Sequence, residues 1–479
     1  MFRKPAVPAT VPTDTVVPLH FFDDTPLWRA FILYSLFVFD VVLDPVKLRD
    51  SLEALAKRDG WRKLGARMRR TNTGGGLEYH IPTEFTDERT ALTYSHINYS
   101  TSATEHPISS RLPRPSTRPA SVGDPDAFRE LFLPPGGPVK LDDYLNRDVP
   151  QIGLHIVSFT DKTLVTIYWP HTLMDAMGQR ALLDAWMLMV EGRDEDVVVP
   201  HGADAGPDPL ADLGKNATES HKLTPKRMST FGLAQYGLGN VFDFLRSQEN
   251  RMVCVPAAFL IRLREMALAE LAAEGHEKPF LSEGDVLCAW WTRLSIAHLP
   301  RNSQRTIMLN NAYSMRNTLA ADLLPGKGSA YISNAISFIN VLLPARDIFE
   351  KPLGRIALEI RKAITDLGTR AQVEAFTGMW RESVGKLPPF FGDRNMHMLT
   401  YSNWSKARLY DVDFSKAIAT PHQTTSKSGR PTYVQNNQFG LILPNGFPII
   451  GKDNEGNYWL SGYLNQGQWA KIEKELEKA

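Results

Sequence analysis

The sequence predicts an α/β protein of two domains, and three observations predict it. Aromatic and β-branched runs of strand length alternate with stretches of helical spacing. The 479 residues exceed what one core usually supports, which implies two domains of roughly 200 residues each. A stretch rich in Gly, Pro, Asp and Ser with little periodicity runs from Pro200 to Thr224, before helical spacing resumes at Ala257 to Ala273. That stretch reads as a crossover linker, drawn at residues 200–228, between halves spanning 1–199 and 229–479. A disordered insertion within one domain would have the same composition.

From the start of the chain, the first strong element is the apolar run Ala30 to Phe39, bracketed by Arg29 and Asp40. It is half the length of a membrane span of about 20 residues, so it reads as a buried strand. Ser109 to Pro119 is a polar loop punctuated by proline. Gln151–Thr160 and Leu164–Trp169 form a hairpin around the turn Asp161-Lys162-Thr163. Pro170 ends the second strand because it cannot donate to the ladder, and helical spacing follows from Ala181 to Val190. His171 therefore sits at a strand-to-helix junction, where a neutral imidazole reaches a substrate proton and still titrates near neutral pH. Asp175, four residues on, either touches His171 on a regular turn or, if Pro170 and Gly178 distort that turn, faces an Arg elsewhere and holds the loop. On spacing alone His171 is equally a satisfied core histidine. Ser282, with Asp285 three residues later, reads as a helix N-cap, although a helix N-terminus also favours phosphate.

Composition excludes several functions. Lys plus Arg number 54 against 53 Asp plus Glu, and the net charge of +1 leaves no electrostatic footprint for nucleic acid or anionic lipid. Cys254 and Cys288 lie in apolar contexts and read as buried thiols in a reducing compartment, not as a disulfide framework. Met1 to Pro8 lacks an apolar stretch of signal-peptide length and Leu476 to Ala479 is no recognised address, so a cytoplasmic location is expected. No Cys/His spacing suggests a metal.

A second constellation separates the two readings of His171. Tyr401 to Phe414 resembles the strand and loop of plant and fungal acyl-CoA-dependent acyltransferases of the BAHD family, which runs from a Thr-Ser-Trp-like triplet to an Asp-Phe-Gly-Trp-Gly loop. Here Trp404 and Asp413-Phe414 keep the family's interval, and His171, Asp175 and Gly178 match its HxxxDxxG motif. Pro18–Asp24, Leu48–Leu52 and Gly65–Met68 resemble its opening segments, Ser282–Trp290 its Ser-x-x-Asp helix start, and Tyr331–Asn334 its Tyr-Phe-Gly-Asn. Two departures stand out. Ser415-Lys416-Ala417 replaces Gly-Trp-Gly, a position where fungal members vary, and Ala312–Arg316 keeps one Arg of the family's Asp-Gly-Arg-x-Arg. Arg316 is the candidate partner for Asp175, the alternative being a solvated surface Arg.

The resemblance implies two chloramphenicol-acetyltransferase-like domains, each a mixed sheet flanked by helices, with a channel at their interface that a monomer closes alone. Elements near 396–420 are expected to pack across it. It further implies direct transfer without an acyl-enzyme: His171 as general base, Trp404 and Ser402 as donors to the oxyanion, and acetyl-CoA or another acyl-CoA as co-substrate. The coenzyme A phosphates need cationic or N–H donors. The candidates are Ser282, Lys406, Arg408, Lys416, Lys427 and Arg430. Trp169, Met174, Met177, Phe390, Phe391, Met396 and Met398 either line a site for an apolar acceptor alcohol, such as a terpenoid, polyketide or alkaloid, or belong to the core. N-acylation differs only in the acceptor. A peptide-synthetase condensation domain, with a carrier-protein donor, shows His-His-x-x-x-Asp-Gly, whereas Pro170 precedes the base here and Gly178 follows Asp175 by three. A binding protein or a repurposed cyclase or lyase of the same fold is the reading from another class, against which intact His171 and Asp175 argue.

Overall fold

Three sheets organise the chain. The computed structural model describes residues 8–72, 75–320, 322–326, 328–419 and 428–478. A small sheet has the order β1 (Thr15–Pro18), β4 (Leu77–Ile81), β3 (Arg67–Arg70). The second sheet runs β13 (Tyr433–Gly440), β2 (Phe31–Phe39), β8 (Thr163–Pro170), β7 (Gly153–Ser158), β5 (Thr93–Asn98). The third has seven strands: β11 (Ile336–Pro344), β10 (Thr306–Ser314), β12 (His397–Asn403), β14 (Gly446–Lys452), β15 (Tyr458–Asn465), β9 (Gln248–Val255) and β6 (Ala120–Gly123).

The apolar run at Phe31–Phe39 is a strand buried at every position, and β7 and β8 are the expected hairpin. Helices Pro45–Lys57 and Ala176–Glu191 pack with the five-stranded sheet into one core, while Ala257–Ala273, Glu283–Ser295 and Leu353–Leu367 pack with the seven-stranded sheet into another. No helix among the described residues is long and apolar enough to cross a membrane.

The two sheets do not respect the division drawn at 200–228. β13, late in the chain, pairs with β2 from Phe31 to Val38, and β6, early in the chain, pairs with β9 at the edge of the seven-stranded sheet. The physical reason is edge protection: β2 is buried on both faces, so an unpaired edge would leave its N–H and C=O groups orphaned, and β13 covers them. Segment 200–228 is strapped to both sides. Asp204 accepts from the backbone of Gly60 (2.6 Å) and Lys63 (3.1 Å), and Glu374 accepts from Gly214 (2.7 Å) and Asn216 (3.1 Å).

Burial shifts three imidazoles of this framework. Desolvation pushes His155 on β7 and His221, stacked on Phe391, down to about 4, and His397 on β12 down to about 3. Because each folded value lies below the unfolded one of about 6.5, the unfolded chain takes up protons first as pH falls. The melting temperature should therefore hold above about pH 7 and decline from 6.5 toward 4, beginning before most carboxylates protonate. A melting curve unchanged between pH 7 and 5 would contradict that burial.

Candidate active site

The site is built where β8 meets the helix Ala176–Glu191. Pro170 is the last residue of β8, opposite Ile32, and the pairing runs one step further: the His171 N–H donates to the Phe31 carbonyl at 3.0 Å. The helix starts earlier than its apolar spacing suggests, because Asp175 caps it. Asp175 Oδ1 accepts from the N–H groups of Met177 (3.0 Å) and Gly178 (2.9 Å). Its Oδ2 accepts from Arg316 Nη1 (2.8 Å) and from the N–H of Ala335 (2.9 Å). Of the two roles open to Asp175, the geometry selects the loop-holding one; all four of these bonds go elsewhere than the imidazole. Arg316 also donates to the carbonyls of Tyr331 (3.2 Å) and Ser333 (2.7 Å), which lays the segment 331–335 over the loop. Gly178 is required by that approach, since a Cβ there would lie 2.1 Å from the Ile332 carbonyl oxygen.

Asn334 extends the cage. Its Nδ2 donates to the His171 carbonyl (2.9 Å) and to Asp23 Oδ1 (2.9 Å), while Lys63 Nζ donates to Asp23 Oδ2 (3.2 Å) and Ser333 Oγ (2.6 Å). Tyr79 donates its hydroxyl to the Thr172 carbonyl at 2.9 Å. The backbone on both sides of the imidazole is thus fixed.

The His171 ring is half-buried and stacks on Trp28, with centroids 4.2 Å apart and planes 18° from parallel; Phe31 lies at 6.2 Å. Its Nδ1 has no side-chain partner. Burial pushes its pKa below the ordinary value, against the opposing pull of its own carbonyl, Asp175, Asn334 and Asp23. The imidazole is therefore neutral at pH 7 and able to take a proton. Trp28, Asp23, Lys63 and Asn334 had no site role on sequence grounds. The legible signal was Thr25-Pro26, which caps and opens the short helix Pro26–Arg29 that carries Trp28.

Two cavities meet at His171. One, of about 220 Å³, is walled by apolar side chains including Leu27, Trp28, Phe31, Phe338, Phe390 and Met398. The other, of about 370 Å³, is bordered by Asp175, Met177, Ser282, Arg361 and Lys406. His171, Ala312, Ile336, Ser402 and Trp404 line both. Trp404 Nε1 donates to Ser402 Oγ at 2.7 Å, so the indole N–H is engaged and the Ser402 hydroxyl hydrogen is the donor left over.

The remaining sequence candidates separate. Ser282 caps its helix in a full capping box with Asp285, and Arg361 binds both, at 2.8 Å to Ser282 Oγ and 2.5 Å to Asp285 Oδ2. Lys406 borders the larger cavity; Arg408, Lys416 and Arg430 do not. After β12 ends at Asn403 the chain makes short 3-10 turns at Ser405–Ala407, Leu409–Asp411 and Ser415–Ala417, the first and last against the helix Ala176–Glu191, that carry those cations away. Arg408 pairs with Asp411 (3.5 Å) and Arg430 with Asp413 (3.7 Å), while the Lys416 carbonyl accepts from Lys47 Nζ (2.6 Å). Lys427 lies outside the described residues. Asp413 Oδ1 accepts from the Ser415 N–H (2.8 Å), and Phe414 packs edge-on against Trp186 at 4.6 Å, which makes the loop an anchor on the first half. Trp169, Met174, Phe391 and Met396 are core residues, so of the apolar candidates only Phe390 and Met398 face the smaller cavity and Met177 the larger.

The comparisons supply the class of protein that carries this fold and site. No family model matches. The chain is 43% identical to a Penicillium decumbens protein described as the transcriptional regulator calD, over 99% of this chain and 98% of that one. It is 37% identical to the acetyltransferase adrJ of Penicillium rubens, again over 99% and 98%. The crystal structure of F. graminearum TRI101 complexed with coenzyme A and T-2 mycotoxin superposes with a TM-score of 0.68 at 15% identity, covering 97% of this chain and 98% of that one. This chain belongs to a family of fungal acetyltransferases and O-acyltransferases, and it shares the fold of TRI101.

Asp175 is 2% exposed, and its charge is balanced by Arg316. Asp175→Asn should leave the guanidinium without its counter-charge and lower stability by roughly 3 to 5 kcal/mol, read from urea unfolding. A loss below about 1 kcal/mol, the range of exposed pairs, would show that the pair does not hold the loop.

Proposed function

We propose that the protein transfers an acetyl or other short acyl group from acyl-CoA to a hydroxyl of an apolar small molecule, with His171 as general base and no acyl-enzyme. The observation that carries this reading is the meeting of an apolar cavity and a Lys406- and Arg361-bordered cavity at one neutral imidazole, with Ser402 and Trp404 on both walls. The acceptor occupies the apolar side and the acyl-CoA the other, as two ends of one channel. Acetyltransferase names among relatives spanning the whole chain support an acetyl donor. The TRI101 structure, complexed with coenzyme A and T-2 mycotoxin, supports a site in this fold that takes coenzyme A beside a second small molecule.

In the proposed reaction the acceptor oxygen attacks the thioester carbonyl while His171 takes the hydroxyl proton, help worth about a hundred- to ten-thousand-fold. Holding both substrates against one imidazole supplies a further entropic advantage. The tetrahedral oxyanion accepts from the Ser402 hydroxyl, whose own oxygen is held by Trp404 Nε1. Collapse breaks the C–S bond, and the thiolate leaves with the proton from His171. Duplex binding, the reading that the name calD suggests, finds no support in a net charge of +1.

Calorimetric titration of coenzyme A and turnover of acetyl-CoA with a panel of alcohols test the reading together. His171→Ala should bind coenzyme A as the wild type does and lose roughly two to four orders of magnitude in kcat. Full turnover by that variant would remove the base from the mechanism. Because burial lowers the imidazole's pKa, the acid limb of kcat/KM should fall below the ordinary histidine value of about 6.5; an acid limb above 7 would assign the titration to another group.

A further inference from the structure

One wall of the apolar cavity carries a row of polar side chains that six strands build jointly. The register pairs Asn340 with Asn310, Asn310 with Thr400, Thr400 with Gly446, Gly446 with Tyr463, and Tyr463 with Asn250. Residues paired directly across strands project from the same face, so these positions form one line across the sheet. All but Asn340 border the cavity. At the centre of the line Gly446 contributes no side chain and leaves a gap between Thr400 and Tyr463.

Hydrogen bonding along the row has a direction. Asn340 Nδ2 donates to Asn310 Oδ1 at 2.9 Å, and Asn310 Nδ2 donates to Thr400 Oγ1 at 3.5 Å. With its oxygen accepting, the Thr400 hydroxyl has its hydrogen free to donate into the gap. Beyond the gap Tyr463 donates to Asp126 at 2.9 Å. Two further buried polar atoms lack partners in residues that border this cavity: the acceptor Oδ1 of Asn250 and, from β13 of the other sheet, the donor Nδ2 of Asn436. Both atoms are closed off from the cavity space, which leaves the Thr400 hydroxyl as the donor at the gap. The neighbouring row, two residues along each strand, contains Ala312 and Ser402 beside His171. Same-face rows in a strand are about 6.5 to 7 Å apart.

We propose that the acceptor carries a second oxygen function about 7 Å beyond the hydroxyl that is acylated, seated over Gly446, where it accepts from the Thr400 hydroxyl. The acceptor is then a polyoxygenated apolar molecule and not a simple alcohol, and Thr400 and Asn310 determine specificity. The inference rests on the apolar cavity being the acceptor side.

The test uses two probes: a rigid trans-decalin secondary alcohol, and the same skeleton with a ketone on the far ring. Each is titrated by calorimetry into the wild-type protein loaded with coenzyme A. The keto-alcohol should bind about tenfold more tightly, the scale of one buried hydrogen bond. Thr400→Val, which removes the hydroxyl and keeps the shape, should collapse that ratio toward one. Asn310→Ala, which removes the donor that orients Thr400, should do the same, and melting temperatures of both variants confirm that they fold. Equal affinity of the wild type for the two probes, absence of binding by either included, overturns the proposal, as does a ratio that survives in both variants. Failure of the acyl-transfer reading has its own signature: no release of coenzyme A thiol by the wild type from acetyl-CoA with any alcohol of the panel, whatever the binding ratio.

Discussion

The carboxylate of Asp175 is the group on which both halves of the molecule converge. One oxygen caps the start of the helix Ala176–Glu191; the other binds Arg316 and the backbone of Ala335, both contributed by the second half. A buried carboxylate is tolerated only when its lone pairs and charge are met, so loop, helix and segment 331–335 must be assembled together or not at all. Gly178 belongs to the same constraint, because the approach that delivers the Ala335 N–H leaves no room for a Cβ. The HxxxDxxG pattern is thus mostly a device for docking one half against the other, with His171, the proposed base, carried on it.

Strand exchange reinforces that docking. β13 covers β2 from the second half of the chain and β6 covers β9 from the first, so neither sheet has its full set of partners until both halves are present. Such long-range pairing raises contact order and slows folding, while it fixes the facing walls of the cavity against one another. Asn436 faces the seven-stranded wall only because β13 was recruited to the other sheet.

What was legible in the sequence was local. The hairpin, the junction at His171 and the capping of Ser282 each depend on neighbours a few residues apart, and the pairing of Asp175 with Arg316 was reachable through the family resemblance. Basic residues from Lys406 to Arg430 looked like one phosphate site because they cluster in sequence; successive 3-10 turns scatter the described ones, and among these only Lys406 reaches the larger cavity, beside Arg361 from a distant helix. Trp28 and the Asn310–Thr400 row were invisible for a related reason. A stacked ring and a cross-strand line are relations between elements, and no window of sequence contains them.

The environment of His171 reconciles two opposed requirements. A base must be neutral to act, which burial secures by disfavouring the imidazolium, yet a base made too weak draws the acceptor proton poorly. Asp175, Asn334, Asp23 and the His171 carbonyl all favour the charged form and limit how far burial depresses it. In the proposed reaction the imidazolium forms together with the oxyanion, two opposite charges in a site shielded by Trp28 and Phe31. Their attraction is stronger there than in water. Desolvation that weakens the base in the resting site therefore favours the charge-separated transition state, and the rigid cage keeps the ring where that attraction is realised.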